Sequence, residues 1–260
     1  MKCVIGVALH TPYRTPQDPL YLPIMVGAAL RDDHGLTRDD TGDHISQRNP
    51  TFSELTAQYW LWKNAEADVY GLCHYRRYFA PGRHGDWQSQ LLTQPQLEQM
   101  LQSADVLLPR PRIYLIETNH SQYIHSHHQE DLKQTRLAIE RLCPEYLPDY
   151  DRVMKRRWGR RFNMFVMRRE QFFAYSQWLF SVLFEVERRL DVSDYTGKDT
   201  RVFGYIAERL MDVWIAHHSL RVRHVRVLHL EGQQWPRRIA TYLRRKIVPD
   251  EKLARLRRRE

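Results

Sequence analysis

The stretch Asp68-Val-Tyr-Gly-Leu-Cys-His-Tyr-Arg-Arg-Tyr-Phe79 joins an apolar run directly to a histidine, two arginines and two tyrosines. Residues 68–73 are short and mostly apolar, which predicts a buried strand. In open α/β sheets, ligands bind beyond the carboxyl ends of the strands. Residues 74–77 are therefore candidates for binding, and paired arginines favour an anionic ligand such as a phosphate. The alternative is an exposed arginine turn with tyrosines packed on the sheet.

On both sides of this stretch, strand-like and helix-like segments alternate along the chain. Strands are predicted at 4–9, 68–73, 105–108, 162–167 and 222–230. Helices are predicted at 51–64, 94–103, 129–142, 149–156, 169–188 and 201–217. Segment 24–30 fits either a strand or a short helix. This alternation is typical of an α/β domain with a mainly parallel central sheet.

Composition excludes several classes of protein. The 260 residues are 42% hydrophobic and 12% aromatic, which is too apolar for a disordered chain. No window has the roughly 18 to 20 apolar residues of a membrane span. The N-terminal residues lack the features of a signal peptide, and the three cysteines are odd in number and far apart. We therefore expect a cytoplasmic protein with reduced thiols.

The net charge of +9 is concentrated at the C-terminal end. Residues 237–260 contain ten basic and three acidic side chains, so the rest of the chain is nearly neutral. We divide the chain into an α/β domain, 1–234, and a basic amphipathic segment, 235–260. Such a segment is typical of contact with an anionic membrane surface. Packing on the domain and contact with nucleic acid are alternatives, and no nucleic-acid-binding motif supports the second.

Polar residues precede the first predicted helix. Asp40, Asp43 and Asn49 lie in a long polar loop, and Thr51 with Glu54 has the spacing of a capping box. A loop of this kind can bind phosphate at the helix N-terminus or contact a sugar. The alternative is a polar loop that only leads into a capped helix.

Further along the chain, polar and charged residues recur in three places. The histidines near residues 120–128 have no recognised metal-ligand spacing, so we predict no metal site and a sugar or phosphate contact for His127. Asn163 marks the entry of a strand. Arg201, Glu208 and Arg209 share neighbouring turns of a helix. Glu208 could act as a general base or form a structural ion pair.

The order of these motifs resembles a bacterial family long labelled only as a domain of unknown function. Its members occur in capsule, exopolysaccharide and O-antigen gene clusters and are regarded as glycosyltransferases. The resemblance runs from about Val4 to Leu230, outside the basic segment. It depends on these residues: Asp-x-Thr-Gly-Asp-x-Ile-Ser at 39–46, Asn-Pro at 49–50, Glu-Leu-Thr-Ala-x-Tyr-Trp-x-Trp-Lys-Asn at 54–64, Gly-Leu-Cys-His-Tyr-Arg-Arg-Tyr-Phe at 71–79, His-x-x-Tyr-x-x-x-His at 120–127, Asn-Met-Phe at 163–165, Trp-Leu-Phe at 178–180 and the Arg…Gly…Glu-Arg-Leu run at 201–210.

The resemblance implies a GT-A-like fold that binds a nucleotide sugar, with added helices. It implies a UDP-sugar donor, for which UDP-galactofuranose is one candidate. The acceptor would be a growing surface polysaccharide or a lipid-linked glycan at the inner face of the plasma membrane. A non-catalytic module that binds nucleotide or glycan is the alternative, and a nucleic-acid-binding protein that uses the basic segment is a third.

The sequence departs from the common GT-A pattern, which places Asp-x-Asp after a strand to hold a metal. Here the strand ends in Cys-His-Tyr-Arg-Arg at 73–77, so arginines could neutralise the diphosphate instead. We expect no cofactor and disfavour Mn²⁺ or Mg²⁺, although His74 with a distant carboxylate is an alternative metal site.

The resulting assignments cover the donor, the acceptor and the base. The donor side is expected to use Arg76 and Arg77 on the diphosphate, together with His74, Tyr75, Asp40, Asp43 and Asn49. The acceptor or sugar side is expected to use His127, Asn163 and Arg201. Glu208 is the candidate base, and Asp199 is the second candidate.

Overall fold

The structure is a computed structural model that describes residues 1–231. Its strands are β1 (Cys3–Leu9), β2 (Tyr21–Met25), β3 (Thr37–Arg38), β4 (Val69–His74), β5 (Arg77–Phe79), β6 (Val106–Pro109), β7 (Arg112–Ile113), β8 (Trp158–Gly159), β9 (Phe165–Arg168), β10 (Val222–Val225) and β11 (Val227–His229). Its α-helices are α1 (Asn49–Phe52), α2 (Leu55–Asn64), α3 (Gln94–Gln102), α4 (Asn119–Ile124), α5 (Gln129–Leu142), α6 (Leu147–Lys155), α7 (Arg169–Glu187) and α8 (Val202–His217).

Strand β4 lies in the middle of the main sheet, whose order is β10-β6-β9-β4-β1-β2-β3. The pairs β1–β4, β1–β2, β2–β3 and β6–β10 are parallel. Only β9 is antiparallel to its neighbours in this row, β4 and β6. Because β9 reverses between them, β6 runs in the same direction as β4. The predicted α/β fold with a mainly parallel sheet is therefore confirmed.

The helices cover the sheet through a continuous apolar core. The ring of Tyr70 on β4 stacks on Phe172 of α7, with centroids 4.4 Å apart. Gly71 leaves no room for a side chain, because a Cβ there would lie 2.9 Å from Ile5 Cγ1 and 3.1 Å from the carbonyl oxygen of Phe165. The central strands therefore pack closely, and β4 is a rigid base for the residues that follow it.

The structure divides the predicted helix 51–64 into the two helices α1 and α2. Helix α1 begins earlier, with Pro50 in its first turn, and ends at Phe52. Ser53 has a φ of 52° and separates α1 from α2, so the predicted capping box does not form. Thr51 Oγ1 instead donates to Arg48 O, and the Glu54 carboxylate accepts a hydrogen bond from Asn163. Long-range contacts thus override the local capping pattern.

Two other predicted segments are divided in the structure. Segment 24–30 ends strand β2 at Met25 and continues as a short 3-10 helix at 28–30, after Gly27 with a φ of 65°. The predicted strand 222–230 becomes the two short strands β10 and β11.

The chain divides by internal contacts into residues 1–228 and 229–260. The predicted boundary at 234 and the basic segment 235–260 lie outside the described residues. Within residues 1–231, no helix combines the length and apolar character needed to cross a membrane. Cys3, Cys73 and Cys143 are free thiols.

Candidate active site

Several loops meet at the edge of the sheet where the parallel strands end. His10 follows β1, residues 26–31 follow β2, and residues 75–77 follow β4. Strand β9 runs in the opposite direction, so its entry, residues 162–164, lies at the same edge. Parallel sheets bind ligands at this edge. The strand-end residues predicted from the sequence are therefore brought together with loops from three other strands.

Positive charge converges on His10. Burial, reinforced by the charges of Arg31, Arg201 and Arg76, lowers the pKa of the His10 imidazole. The Arg76 guanidinium carbon lies 4.6 Å from the centroid of the Tyr75 ring, and the Tyr75 hydroxyl lies 3.4 Å from His10 Nε2. The stacked ring holds the guanidinium in one orientation.

Two of these arginines are held by uncharged acceptors. Arg201 Nε donates to Ser53 Oγ at 3.0 Å, and Arg31 Nε donates to the carbonyl oxygen of Val26 at 3.1 Å. Such bonds orient a guanidinium without neutralising it. The arrangement therefore favours an anionic ligand with more than one charge, since several arginines would bind it together.

A buried network links β4 to the entry of β9. His74 Nε2 donates to Phe162 O at 2.5 Å and lies 3.8 Å from Glu54 Oε1. Asn163 Nδ2 donates to Glu54 Oε1 at 2.7 Å and to Gly204 O at 2.9 Å. Burial lowers the pKa of His74, the Glu54 carboxylate opposes this shift, and Arg77 reinforces it. His74 and Asn163 thus hold the backbone of the site in place.

The entry of β9 is a strained turn. Phe162 and Asn163 have φ values of 83° and 47°, a region that non-glycine residues rarely adopt. The Phe162 amide donates to Glu208 Oε1 at 2.8 Å, and Arg209 donates to Glu208 Oε2 at 2.7 Å. Both carboxylate oxygens of Glu208 are therefore engaged, and the structural ion pair considered for this residue is present. The Arg77 guanidinium carbon lies 4.4 Å from the Phe162 ring centroid.

His127 and Asp199 form a second polar pair, next to α8. His127 Nδ1 lies 2.9 Å from Asp199 Oδ1, and the His127 ring stacks on Tyr205 with centroids 4.1 Å apart. Burial lowers the pKa of His127 to about 4, against the opposing effect of Asp199. The neutral imidazole donates from Nδ1 to the carboxylate, which leaves Nε2 as the proton-accepting nitrogen.

This lowered pKa predicts a specific pH dependence of stability. Because the folded-state pKa lies below the ordinary value of 6.5, the unfolded chain binds more protons between about pH 6.5 and pH 4. His127 therefore stabilises the fold above this window, and its contribution decreases as the pH falls through it. Urea unfolding at about pH 7 and pH 4.5 should give a larger loss of unfolding free energy for the wild type than for His127→Gln. The exposed His84→Gln control should follow the wild type; equal losses for wild type and His127→Gln would contradict the expectation.

Of three predicted donor residues, Asp40 and Asp43 contact residues of their own loop and of helix α2, whereas Asn49 accepts a hydrogen bond from the Arg31 guanidinium at 3.5 Å. Asp40 forms an ion pair with Arg38, with Oδ2 to NH2 at 2.7 Å, which lowers the pKa of the carboxyl. Asp43 accepts a hydrogen bond from the Tyr59 hydroxyl at 3.1 Å. Asn49 Nδ2 also donates to Ser53 O at 2.8 Å. Asp40 and Asp43 therefore stabilise the loop, whereas Asn49 supports the turn that presents Ser53.

Sequence reasoning did not assign His10, Arg31, Ser53 or Glu54 to the site. His10 follows β1 in the same way that His74 ends β4, so the strand-end rule could have found it. Glu54 was concealed by the capping-box spacing. Ser53 and Arg31 have no local signal, since their positions depend on Arg201 and on the loop after β2.

No group of three or more His, Cys, Asp or Glu side chains suited to a metal ion occurs within residues 1–231. The pair closest to the alternative metal site named above is His74 with Glu54. Asp149 and Asp151, the Asp-x-Asp spacing that the sequence does contain, lie on helix α6 and form ion pairs with Arg152 and Arg136.

The sheet order and the polar groups at its carboxyl edge define a GT-A-like α/β fold. Residues 4–219 match the family described as "Domain of unknown function (DUF4422)", and the chain belongs to this family. The predicted resemblance is thereby confirmed. No curated protein matches the sequence.

The structure is similar to that of "WbbM bifunctional glycosytransferase apo structure", with a TM-score of 0.84 and 30% sequence identity. The match covers 89% of this chain and 46% of WbbM, so the chain spans less than half of the length of that protein. The match agrees with the GT-A-like fold expected from the sequence.

Proposed function

We propose that this chain is a glycosyltransferase that moves a sugar from a nucleotide-diphosphate donor to a glycan acceptor. The main support is the group of arginines at the carboxyl edge of the sheet. Arg76 stacks on Tyr75, whose hydroxyl lies 3.4 Å from His10 Nε2, and Arg31 and Arg201 are oriented by hydrogen bonds to uncharged acceptors. The similarity to WbbM, whose name describes a bifunctional glycosyltransferase, supports the same class of reaction. For the donor we propose a UDP-sugar, with UDP-galactofuranose as one candidate. A surface polysaccharide or lipid-linked glycan is the proposed acceptor.

The arginines supply the electrostatic part of the reaction. As the glycosidic bond to the diphosphate breaks, negative charge develops on the leaving oxygens. We assign Arg76, held against Tyr75, to this charge. We also assign Arg201 to it, rather than to the acceptor side predicted from the sequence, because its guanidinium is held by Ser53 and acts on His10. Groups oriented in advance stabilise such charge without reorganising during the reaction. We assign Arg77, His74 and Tyr75 to the donor side, and Asn163 to the sugar side.

We assign the general base to His127 Nε2, oriented by Asp199, and a positioning role to Glu208. The reason is the engagement of both Glu208 oxygens by the Phe162 amide and Arg209. A base must have an oxygen or nitrogen available to the acceptor hydroxyl. In the other pair, the Nδ1–H bond to Asp199 orients the imidazole so that Nε2 can accept that proton.

Asp199→Asn should lower kcat by about 10²-fold, a typical loss for general-base catalysis, with little change in donor KM. The matched control is Asp194→Asn, an exposed change on the same segment, which should retain activity. Initial rates at saturating acceptor measure the effect. A fully active Asp199→Asn enzyme would remove Asp199 from the mechanism and return the base role to Glu208.

The function itself is tested by released nucleotide and transferred sugar across UDP-, GDP-, CMP- and dTDP-sugars, with and without EDTA. Turnover of one donor that survives EDTA is the expected result. Turnover that requires Mn²⁺ would retain the transferase but discard the arginine-for-metal proposal. Donor binding without turnover, in the presence of a lipid-linked acceptor extract, would favour the non-catalytic binding module instead.

The cytoplasmic location, peripheral to the inner face of the plasma membrane, stays a prediction. The same holds for the proposed contact of residues 235–260 with an anionic membrane surface, which lies outside the described residues. A nucleic-acid partner is not proposed, since the positive charge outside that segment is small.

A further inference from the structure

Three large aliphatic side chains are exposed together in one short loop. Ile113, Leu115 and Ile116 have exposed fractions of 73%, 77% and 60%. Apolar side chains are commonly exposed one at a time, but a contiguous apolar patch indicates an interaction surface. We call the segment Arg110–Ile116 the aliphatic loop.

The aliphatic loop is held in a defined conformation. Its strand β7 pairs antiparallel with β8, with Ile113 opposite Trp158. The Tyr114 amide donates to Arg157 O at 2.7 Å, and the Tyr114 side chain is buried. Because Tyr114 is directed inward, the neighbouring aliphatic side chains are presented to solvent by the fold.

Cationic side chains occur in the aliphatic loop and in the segment that pairs with it. The aliphatic loop contributes Arg110 and Arg112, both exposed. The segment that pairs with it, 152–161, contains six basic residues and no carboxylate. Arg160 is buried against Asp212, whereas Arg152, Lys155 and Arg157 are exposed and Arg156 and Arg161 are half-buried. Aliphatic groups with a cationic rim are the features that bind the interface of an anionic bilayer.

The aliphatic loop also adjoins the candidate active site. It follows the carboxyl end of β6, which runs in the same direction as β4, so both strands end at the same edge of the sheet. The Arg161 guanidinium carbon lies 5.7 Å from the Tyr114 ring centroid. Arg161 precedes Phe162, which contacts His74 and Glu208. If the aliphatic loop faces a membrane, an acceptor on a lipid carrier would reach the candidate active site from that side.

We infer that the aliphatic loop is a membrane-docking surface that inserts Ile113, Leu115 and Ile116 into the interface of an anionic lipid bilayer. A second copy of the chain is the less favoured occupant. A two-fold dimer through this surface would bring the same arginines of both copies together, and like charges repel. The bilayer instead offers opposite charge and an apolar layer at once. The link to acceptor delivery rests on the proposed function, but vesicle binding does not.

The first test measures binding of the full chain to vesicles of phosphatidylcholine with about 30% phosphatidylglycerol, without substrate. Leu115→Ser/Ile116→Ser should weaken partitioning by about tenfold or more, because two apolar side chains no longer enter the interface. The matched control, Leu137→Ser/Leu142→Ser, changes two exposed leucines on α5 and should bind like the wild type. All variants retain residues 235–260, so a difference reports on the aliphatic loop.

A second measurement does not depend on loss of binding. The Cys3→Ser change removes the one native thiol that is not buried, so an environment-sensitive dye can be attached at Leu115→Cys alone. The fluorescence of this dye should increase and shift to the blue when anionic vesicles are added. The same dye on Leu137→Cys should not respond. Two results together would overturn the inference. The Leu115→Ser/Ile116→Ser variant would bind vesicles as well as the wild type does, and the dye at position 115 would not respond. A solution dimer that this variant dissociates would also overturn the inference, since the surface would then be a contact between copies.

Discussion

Arg76→Ala is expected to lower kcat/KM for the nucleotide-sugar donor by about 10³-fold, at the upper end of losses for removal of one charge-stabilising donor. The side chain is oriented by Tyr75 and lies near enough to His10 to lower its pKa. The loss should fall mainly on kcat, because the charge on the diphosphate is greatest as the bond breaks. Inhibition by the free nucleoside diphosphate product should also weaken.

Arg76→Lys should be intermediate. Lysine retains a positive charge but lacks the planar group that stacks on Tyr75 and binds phosphate through two parallel hydrogen bonds. The control is Arg169→Ala. Arg169 also lies over an aromatic ring, with its guanidinium carbon 5.0 Å from the Phe173 ring centroid, but it follows the end of β9 that is opposite the candidate site. Steady-state kinetics should give wild-type rates for this control. Comparable losses in Arg76→Ala and Arg169→Ala would mean that the effect is structural.

Asp212→Ala is expected to lower the free energy of unfolding by about 3–5 kcal/mol, the usual cost of removing one member of a buried ion pair. Asp212 is fully buried on α8, and Arg160 is 7% exposed. The carboxylate pairs with the Arg160 guanidinium and also accepts from the Arg160 amide at 3.1 Å. Its loss would leave a buried cation and a buried N–H without this acceptor.

The expected decrease corresponds to a fall in Tm of roughly 6–20 °C for a domain of this size. Thermal and urea unfolding followed by circular dichroism measure it. The control is Asp105→Ala, which breaks the more exposed pair with Arg221 and should cost less than about 1 kcal/mol. Similar small losses in the two variants would show that water reaches the Arg160 pair. Because Arg160 is two residues from Phe162, the variant should also lose activity below its Tm.

The part of the candidate site that directly follows strand β4 was predictable from the sequence. The apolar run before His74 predicts β4, and the rule for strand ends then selects residues 74–77 without any contact information. Asn163 was selected as the entry of a predicted strand, and Arg201 because it shares neighbouring turns of a predicted helix with Glu208 and Arg209. The structure brings both next to the turn at Ser53 and Glu54.

The role of Glu54 was predicted wrongly, because a long-range contact replaces the local one. Local spacing favours a capping box, which would satisfy one backbone amide at the helix N-terminus. Ser53 instead adopts a left-handed φ, and the Glu54 carboxylate accepts a hydrogen bond from Asn163, 109 residues away. A buried amide–carboxylate bond of this kind competes with the local cap, and nothing near Glu54 in the sequence signals it.

The order of strands β1, β4, β6, β9 and β10 and of the longer helices, and the placement of arginines after β4, follow from the sequence alone. Apolar runs of strand length and periodic helical segments are local properties, and they require burial whatever the neighbours are. Only the tertiary structure decided which polar groups meet. The convergence of Arg31 and Arg201 on His10, and the engagement of both Glu208 oxygens, depend on how distant loops fold over one edge of the sheet. Hydrogen bonds and charge pairs across such sequence distances form only after the apolar core has fixed the strands, so no local pattern specifies them.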